Sequence, residues 1–153
     1  MDGPVKPGHD GLGKMRQAAE VLRVPTRGRG LVEFTRPVAG WAHDQGMQTG
    51  LLTLYCRHTS ASLLIQENAD PDVQRDLEAY FEVLAPEDPG RYIHDAEGPD
   101  DMPAHIRTAL TQTQLSIPLI GGRLMLGTWQ GIYLFEHRRE GSTRQVAMHL
   151  IGE

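Results

Sequence analysis

The stretch "YIHDAEGPDDMPAHI", residues 92–106, gathers His94 and His105 with Asp95, Glu97, Asp100 and Asp101. Neutral imidazoles beside carboxylates are the donor set of Zn²⁺ or another transition metal, whereas an all-oxygen set drawn from Asp95, Asp100, Asp101 and Glu136 would suit Mg²⁺. A third histidine, His58, stands in "RHTSAS" with Thr59, Ser60 and Ser62. That segment reads either as a turn whose hydroxyls satisfy their own backbone or as a polar pocket floor for a phosphate or carboxylate. Asn68, in "QENADPD", follows the same strand and is a further polar candidate. In "GTWQG", Trp129 and Gln130 sit between two glycines. The ring is either a hydrophobic plug or subunit contact, or a platform for stacking a heteroaromatic ring, with Gln130 adding hydrogen bonds and Glu136 facing inward on the next strand. No H-E-x-x-H, paired C-x-x-C or G-x-x-x-x-G-K occurs, and Ser60 lacks the G-x-S-x-G elbow of a seryl nucleophile.

These residues need elements to hold them. Asp70 before Pro71 is the order of an N-cap and first-turn proline, and Val73, Leu77, Tyr80 or Phe81, and Leu84 then give a helix its apolar stripe. "APEDPGRY" ends that helix and a loop leads to Asp101. There "DMPAHIRTALTQT" starts a second helix, capped by Asp100 or Asp101, with Met102, Ile106 and Leu110 at i, i+4 and i+8. A shorter helix carries Phe34, Val38 and Trp41 and closes at Gly46. "TGLLTLYCRH" is a strand buried on both faces, and "TSASLLIQE" is its expected neighbour. "EVLRVPT" is a short strand, after which "GRGLVEF" turns the chain. "LSIPLI", "RLMLGT", "GIYLFEHR" and "RQVAMHLIG" form an antiparallel sheet joined by tight turns. Helices early and strands late imply an α+β domain with a mixed or antiparallel sheet.

The chain has 153 residues, enough for a single core, and a net charge of −5 without any Lys/Arg run interleaved with aromatics. This argues against nucleic acid and anionic membranes as partners. One cysteine, Cys56, excludes an intrachain disulfide and is expected to be buried, in keeping with a reducing cytoplasm. No segment has the apolar length of a secretory signal or membrane span. Residues 1–19, including His9, are rich in Gly and Pro and are expected to be a disordered extension, with Met15 offering an alternative start; residues 20–153 form the domain.

The motifs "HTSASLLIQENADPDVQRDLE", "YIHDAEGPDDMPAHI" and "LGTWQGIYLFEHR", in this order, resemble the YjbQ family from about residue 20 to the end. The resemblance implies a compact α+β homotrimer with His58, His94 and His105 as metal ligands. It also implies secondary thiamine-phosphate synthase activity, which couples hydroxymethylpyrimidine diphosphate to a thiazole phosphate and releases pyrophosphate. A divalent metal, Zn²⁺ or Mg²⁺, would neutralise the leaving diphosphate. On this reading His94, Asp95, Asp101 and Ser60 are catalytic, and Thr59, Asn68, Trp129, Gln130 and Glu136 bind the small phosphorylated substrate. The alternatives are a trimeric protein that binds a phosphorylated or heteroaromatic metabolite without turning it over, and a metal-dependent hydrolase.

Overall fold

A computed structural model describes residues 14–153, so His9 and most of the expected extension lie outside the described residues. Eleven elements follow in order: β1 (Arg16–Pro25), β2 (Gly30–Glu33), α1 (Thr35–Asp44), β3 (Thr49–Cys56), β4 (Ala61–Glu67), α2 (Pro71–Leu84), α3 (Asp101–Leu110), β5 (Gln114–Ile120), β6 (Arg123–Leu124), β7 (Gln130–Glu136) and β8 (Thr143–Gly152). The strands form two sheets, ordered β1-β8-β3-β5-β6 and β2-β7-β4, and every pairing is antiparallel. The architecture is α+β. Strand β1 starts at Arg16, four residues before the expected start of the domain, because Arg16 to Ala19 pair with β8.

The core lies between the sheets. Leu52 and Leu54 of β3, Ile117 of β5 and Val146, Met148 and Leu150 of β8 meet Leu63 of β4 and Ile132 and Leu134 of β7, all almost fully buried. Each such side chain contributes about 1.5–3 kcal/mol by leaving water. Helix α1 adds Val38 and Ala42 to this core. It ends at Gly46, whose φ of +68° is the left-handed conformation that follows a helix C-terminus.

Four expectations about strands need correcting. Only one face of β3 is buried, since Leu51 and Tyr55 point outward and are 41% and 51% exposed. The strand covered on both faces is β7, at the centre of the small sheet. Its Ile132, Leu134 and Glu136 turn to the core side, while Tyr133 and Phe135 alternate to the other face, where Gln74 and Phe81 of α2 meet them. Strand β4 pairs with β7 and not β3, because the polar turn at residues 57–60 carries the chain from one sheet to the other. "GRGLVEF" contains β2, which pairs with β7, so the C-terminal strands are divided between the sheets.

Asp70 caps α2 as expected, accepting the Asp72 N–H at 2.9 Å. In α3 the expected apolar stripe is not the buried face: Leu110 is 58% exposed, whereas Asp101, Ala104 and Arg107 are buried. The helix is turned by its polar residues. Asp101 is drawn under by ion pairs, and Arg107 Nη2 donates to the Ala85 carbonyl at 3.2 Å. Among the described residues no helix is long and apolar enough to cross a membrane.

Candidate functional site

Asp101 and His105 stand four residues apart on α3, the spacing that places two side chains on one helix face. His105 Nε2 lies 3.0 Å from Asp101 Oδ2. The loop between α2 and α3 supplies His94, whose Nε2 is 2.6 Å from the same oxygen. That loop is fastened by the Tyr92 hydroxyl, which donates to the Pro86 carbonyl at 2.7 Å, and turns at Gly98, whose φ is +106°. One ligand atom from each of His94, Asp101 and His105 lies within 4.8 Å of the other two.

The hydrogen bond at the far side of His105 fixes its chemistry. Nδ1 is 2.9 Å from the Thr59 carbonyl, which can only accept, so Nδ1 carries a hydrogen. In the neutral ring Nε2 is then a lone pair aimed at a carboxylate oxygen. Something positive must lie between them, either a proton or a metal ion. The same carboxylate receives His94, so three donors of the right type converge with one negative charge at their centre. This set suits a transition metal better than Mg²⁺. The all-oxygen set is not assembled: Asp95 is exposed, Asp100 is occupied by Arg138 and Arg139, and Glu136 is 0% exposed.

Arg138 holds the site from behind. Its Nη1 binds Asp101 Oδ1, its Nε binds Asp100 Oδ2 at 3.0 Å and its Nη2 donates to the Glu97 carbonyl at 2.9 Å. Burial alone would raise the Asp101 carboxyl, but the His94 hydrogen bond and the charges of His105 and Arg138 hold it below the usual carboxylate value. Asp100 shows the same balance, with burial opposed by the Arg139 N–H and Arg138. Asp100 occupies the N-cap position of α3, yet its side chain makes no capping bond. Its role is to fix Arg138.

Beyond His105 an open groove of about 690 Å³ is lined by Tyr55, Arg57, His58, Thr59, Thr108 and Thr111, among others. Thr59 therefore remains a substrate-binding candidate. His58 lines the same groove but stands apart from the ligand set, because its Nε2 accepts the Gln145 N–H at 2.8 Å and its Nδ1 faces Arg144. Ser60 Oγ accepts from Arg144 Nη2 at 3.0 Å, and among the described residues no carboxylate or imidazole is hydrogen-bonded to it to act as a base. Asp95 lines a second small cleft with Tyr92, Pro99 and His94, outside the groove beyond His105.

Glu136 is not a substrate contact. Its two oxygens take Arg144 Nε at 2.8 Å, Arg144 Nη2, the Thr26 hydroxyl at 2.7 Å and the backbone N–H groups of His137 and Arg138. Burial would raise its carboxyl, but Arg144 and Thr26 keep it below its ordinary value. Asn68, Trp129 and Gln130 are gathered at the opposite end of β4 and β7, where Asn68 N–H donates to the Trp129 carbonyl at 3.0 Å and Asn68 Nδ2 to Glu33 at 3.2 Å. Glu67 pairs with Gln130 at that end and Ala61 with Glu136 at this one. Six residue steps of strand, about 20 Å at 3.3 Å each, keep them from the histidine cluster within one chain.

Residue typing gave no role to Arg138 or Arg144, the two cations that organise the site, although both follow the inward-facing Glu136 within eight positions. It also overlooked a buried polar chain, in which Thr111 Oγ1 donates to Ser62 Oγ at 2.6 Å and Ser62 Oγ lies 2.8 Å from His137 Nε2. Burial, reinforced by Arg107, Arg144 and Arg29, pushes His137 down to about 3, so the ring is neutral.

Comparison with known proteins agrees with this architecture. The model of the family described as "UPF0047 protein YjbQ-like" matches residues 20–153. A UPF0047 protein of Synechocystis sp. is 53% identical over 138 residues, covering 90% of this chain and 94% of its own. The YjbQ protein of Escherichia coli is 42% identical over 135 residues, 88% of this chain and 97% of its own. A crystal structure of a protein of unknown function from Sulfolobus solfataricus superposes with a TM-score of 0.83 at 20% identity, covering 92% of this chain and all of that one, a likeness of fold.

Proposed function

The chain belongs to the YjbQ-like UPF0047 family, and from that premise we propose that it is a metal-dependent enzyme acting on a small phosphorylated substrate. The observation that carries the proposal is the convergence of His94 Nε2, Asp101 Oδ2 and His105 Nε2 beside a groove that His105 lines together with hydroxyls, His58 and Arg57. A divalent transition metal held by these three residues would act as a Lewis acid toward negative charge developing on a phosphoryl or diphosphate oxygen.

The chain's own residues prepare that site. Asp101 remains ionised because Arg138 and both histidines favour its charged form. The Thr59 carbonyl holds the His105 hydrogen on Nδ1 and leaves Nε2 free to coordinate. Thr59 and Thr108 supply hydroxyls to the groove, where a phosphorylated substrate can be oriented. The specific reaction we assign is the coupling of hydroxymethylpyrimidine diphosphate to thiazole phosphate, in which the departing diphosphate is the group whose charge must be neutralised. The protein would work as a homotrimer in the cytoplasm, a compartment that suits the free, buried Cys56.

A second reading, hydrolysis of a phosphorylated metabolite at the same residues, is favoured by access to water: the His94 and His105 side chains are 44% and 31% exposed. Purified protein with added Zn²⁺ or Mn²⁺ is expected to form thiamine phosphate and pyrophosphate from the two precursors, and His94→Ala to abolish this while remaining folded. Release of inorganic phosphate or pyrophosphate without thiamine phosphate would select the hydrolytic reading. Turnover unchanged in His94→Ala would refute both. Light scattering is expected to give three times the 17.0 kDa chain mass.

A further inference from the structure

The histidine outside the ligand set poses a bonding problem of its own. His58 Nε2 accepts the Gln145 backbone N–H at 2.8 Å, so Nε2 is a lone pair and the hydrogen of the neutral ring sits on Nδ1. Burial first, and then the charge of Arg144, hold this ring below the ordinary histidine value. Its Nδ1 lies 3.4 Å from Arg144 Nη1, and a guanidinium nitrogen can only donate. Two donors face each other with no acceptor between them. Protonating the ring would not relieve this, since it would set a second hydrogen against the Gln145 N–H.

Arg144 cannot turn away. Its side chain is 9% exposed and is held by Glu136 through Nε and Nη2, while Nη2 also reaches Ser60 O at 3.2 Å and Ser60 Oγ at 3.0 Å. Nη1 is thus the one nitrogen of that guanidinium without an oxygen acceptor among the described residues. The local charge favours an anion over a water. Glu136 balances Arg144, but Arg57, which lines the groove beside His58, binds only the neutral Gln145 side chain at 2.6 Å and makes no ion pair among the described residues.

We propose that His58 Nδ1–H and Arg144 Nη1, with Arg57 beside them, form an anion subsite that seats a phosphate group of the substrate in the groove next to His105. An oxygen about 2.8 Å from each donor closes a triangle on the 3.4 Å base and accepts both hydrogens. The ligand class is a phosphate monoester or diphosphate. The subsite deepens the function proposed above and rests on it for the identity of the substrate, but it holds its anion without metal. His58 is therefore an anion-binding residue and not the third metal ligand.

The test uses the full chain freed of metal with EDTA. Inorganic phosphate is titrated by calorimetry, and in parallel by melting temperature, at constant ionic strength set with chloride. Saturable phosphate binding is expected. His58→Phe keeps the ring and removes both nitrogens, and should weaken phosphate about tenfold or more. Arg144→Lys keeps a cation for Glu136 but loses the fork, and should weaken it similarly; if that variant does not fold, His58→Phe decides alone. His94→Ala, which removes a metal ligand, should bind phosphate as before. The proposal is overturned if metal-free protein shows no saturable phosphate binding, if folded His58→Phe binds it equally well, or if His94→Ala loses it. Phosphate binding in a protein that takes up no metal would keep the subsite and refute the metal-dependent function, so the two failures are distinct.

Discussion

Where β7 ends, Glu136 is wholly buried, Asp101 is 2% exposed, and Arg138 and Arg144 clasp them with charge-assisted hydrogen bonds. Where β7 begins, Trp129 is 63% exposed, and the Gln130 side chain makes one neutral bond among the described residues, accepting the Gly127 N–H at 2.7 Å. Both ends carry residue types that bind ligands, yet only one holds paired charges out of water. Charges taken out of water persist only when each is paired, and that requirement fixes their geometry. A surface tryptophan on a turn carries no such constraint. The lesson is that the acidic end acts as a preorganised unit, whereas the tryptophan end offers a surface.

The largest expected effect breaks the acidic end outright. Glu136→Ala leaves Arg144 buried with its charge uncompensated, which should cost about 3–5 kcal/mol, read as a lowered urea midpoint. A loss under about 1 kcal/mol would mean that the pair is not the keystone of that end.

Asp101→Asn comes next. It removes the charge shared by His94, His105 and Arg138, and because Arg138 is partly solvated the stability cost should be only about 1.5–3 kcal/mol. Metal affinity should fall by roughly a hundredfold or more, a much greater change than in stability. Equal metal uptake by the variant would remove Asp101 from the ligand set.

A third test uses pH. His137 is held at about 3 in the folded chain, well below its unfolded value of about 6.5, so between those limits the unfolded state binds the extra proton. Stability should therefore fall as pH drops through that window, by up to about 1.4 kcal/mol per unit. His137→Gln, which can still bond Ser62, should flatten the slope between pH 6.5 and 4.5. Below about pH 4 the depressed carboxyls of Asp100, Asp101 and Glu136 add a second loss: their stabilisation is present above the unfolded value and disappears as they are protonated. An unaltered slope in His137→Gln would place the titration elsewhere.

The smallest effect sharpens the contrast from the other side. Trp129→Ala should change stability by less than about 0.5 kcal/mol and leave metal uptake unchanged. Loss of turnover in that variant with stability intact would bring the tryptophan end into the site through a second copy of the chain.

Much of this was legible in the sequence where the signal is local. The Asp70–Pro71 cap, the glycine closing α1, the buried Cys56, and the i, i+4 pair of Asp101 and His105 all depend on neighbours in the chain. The structure brings His94 to the same carboxylate, and puts Asp101 where the expected set had His58. What escaped was set by pairing between distant segments. An apolar run such as "TGLLTLYC" does not say whether its second face is covered, and nothing in "TSASLLIQE" says that the turn before it moves the strand to another sheet. The same topology separates Trp129 from His94. It also buries Arg107 on a face of α3 that apolar periodicity could not identify, since ion pairs and not an apolar stripe orient that helix.

The donor set of His94, Asp101 and His105 carries the proposed chemistry, and metal stoichiometry tests it most directly. Protein purified without a His-tag, loaded with Zn²⁺ and desalted, should retain about one equivalent per chain by elemental analysis and melt at a higher temperature than the EDTA-treated form, with both effects lost in His94→Ala. Retention below about a tenth of an equivalent in the unmodified chain, with no rise in melting temperature, would contradict it.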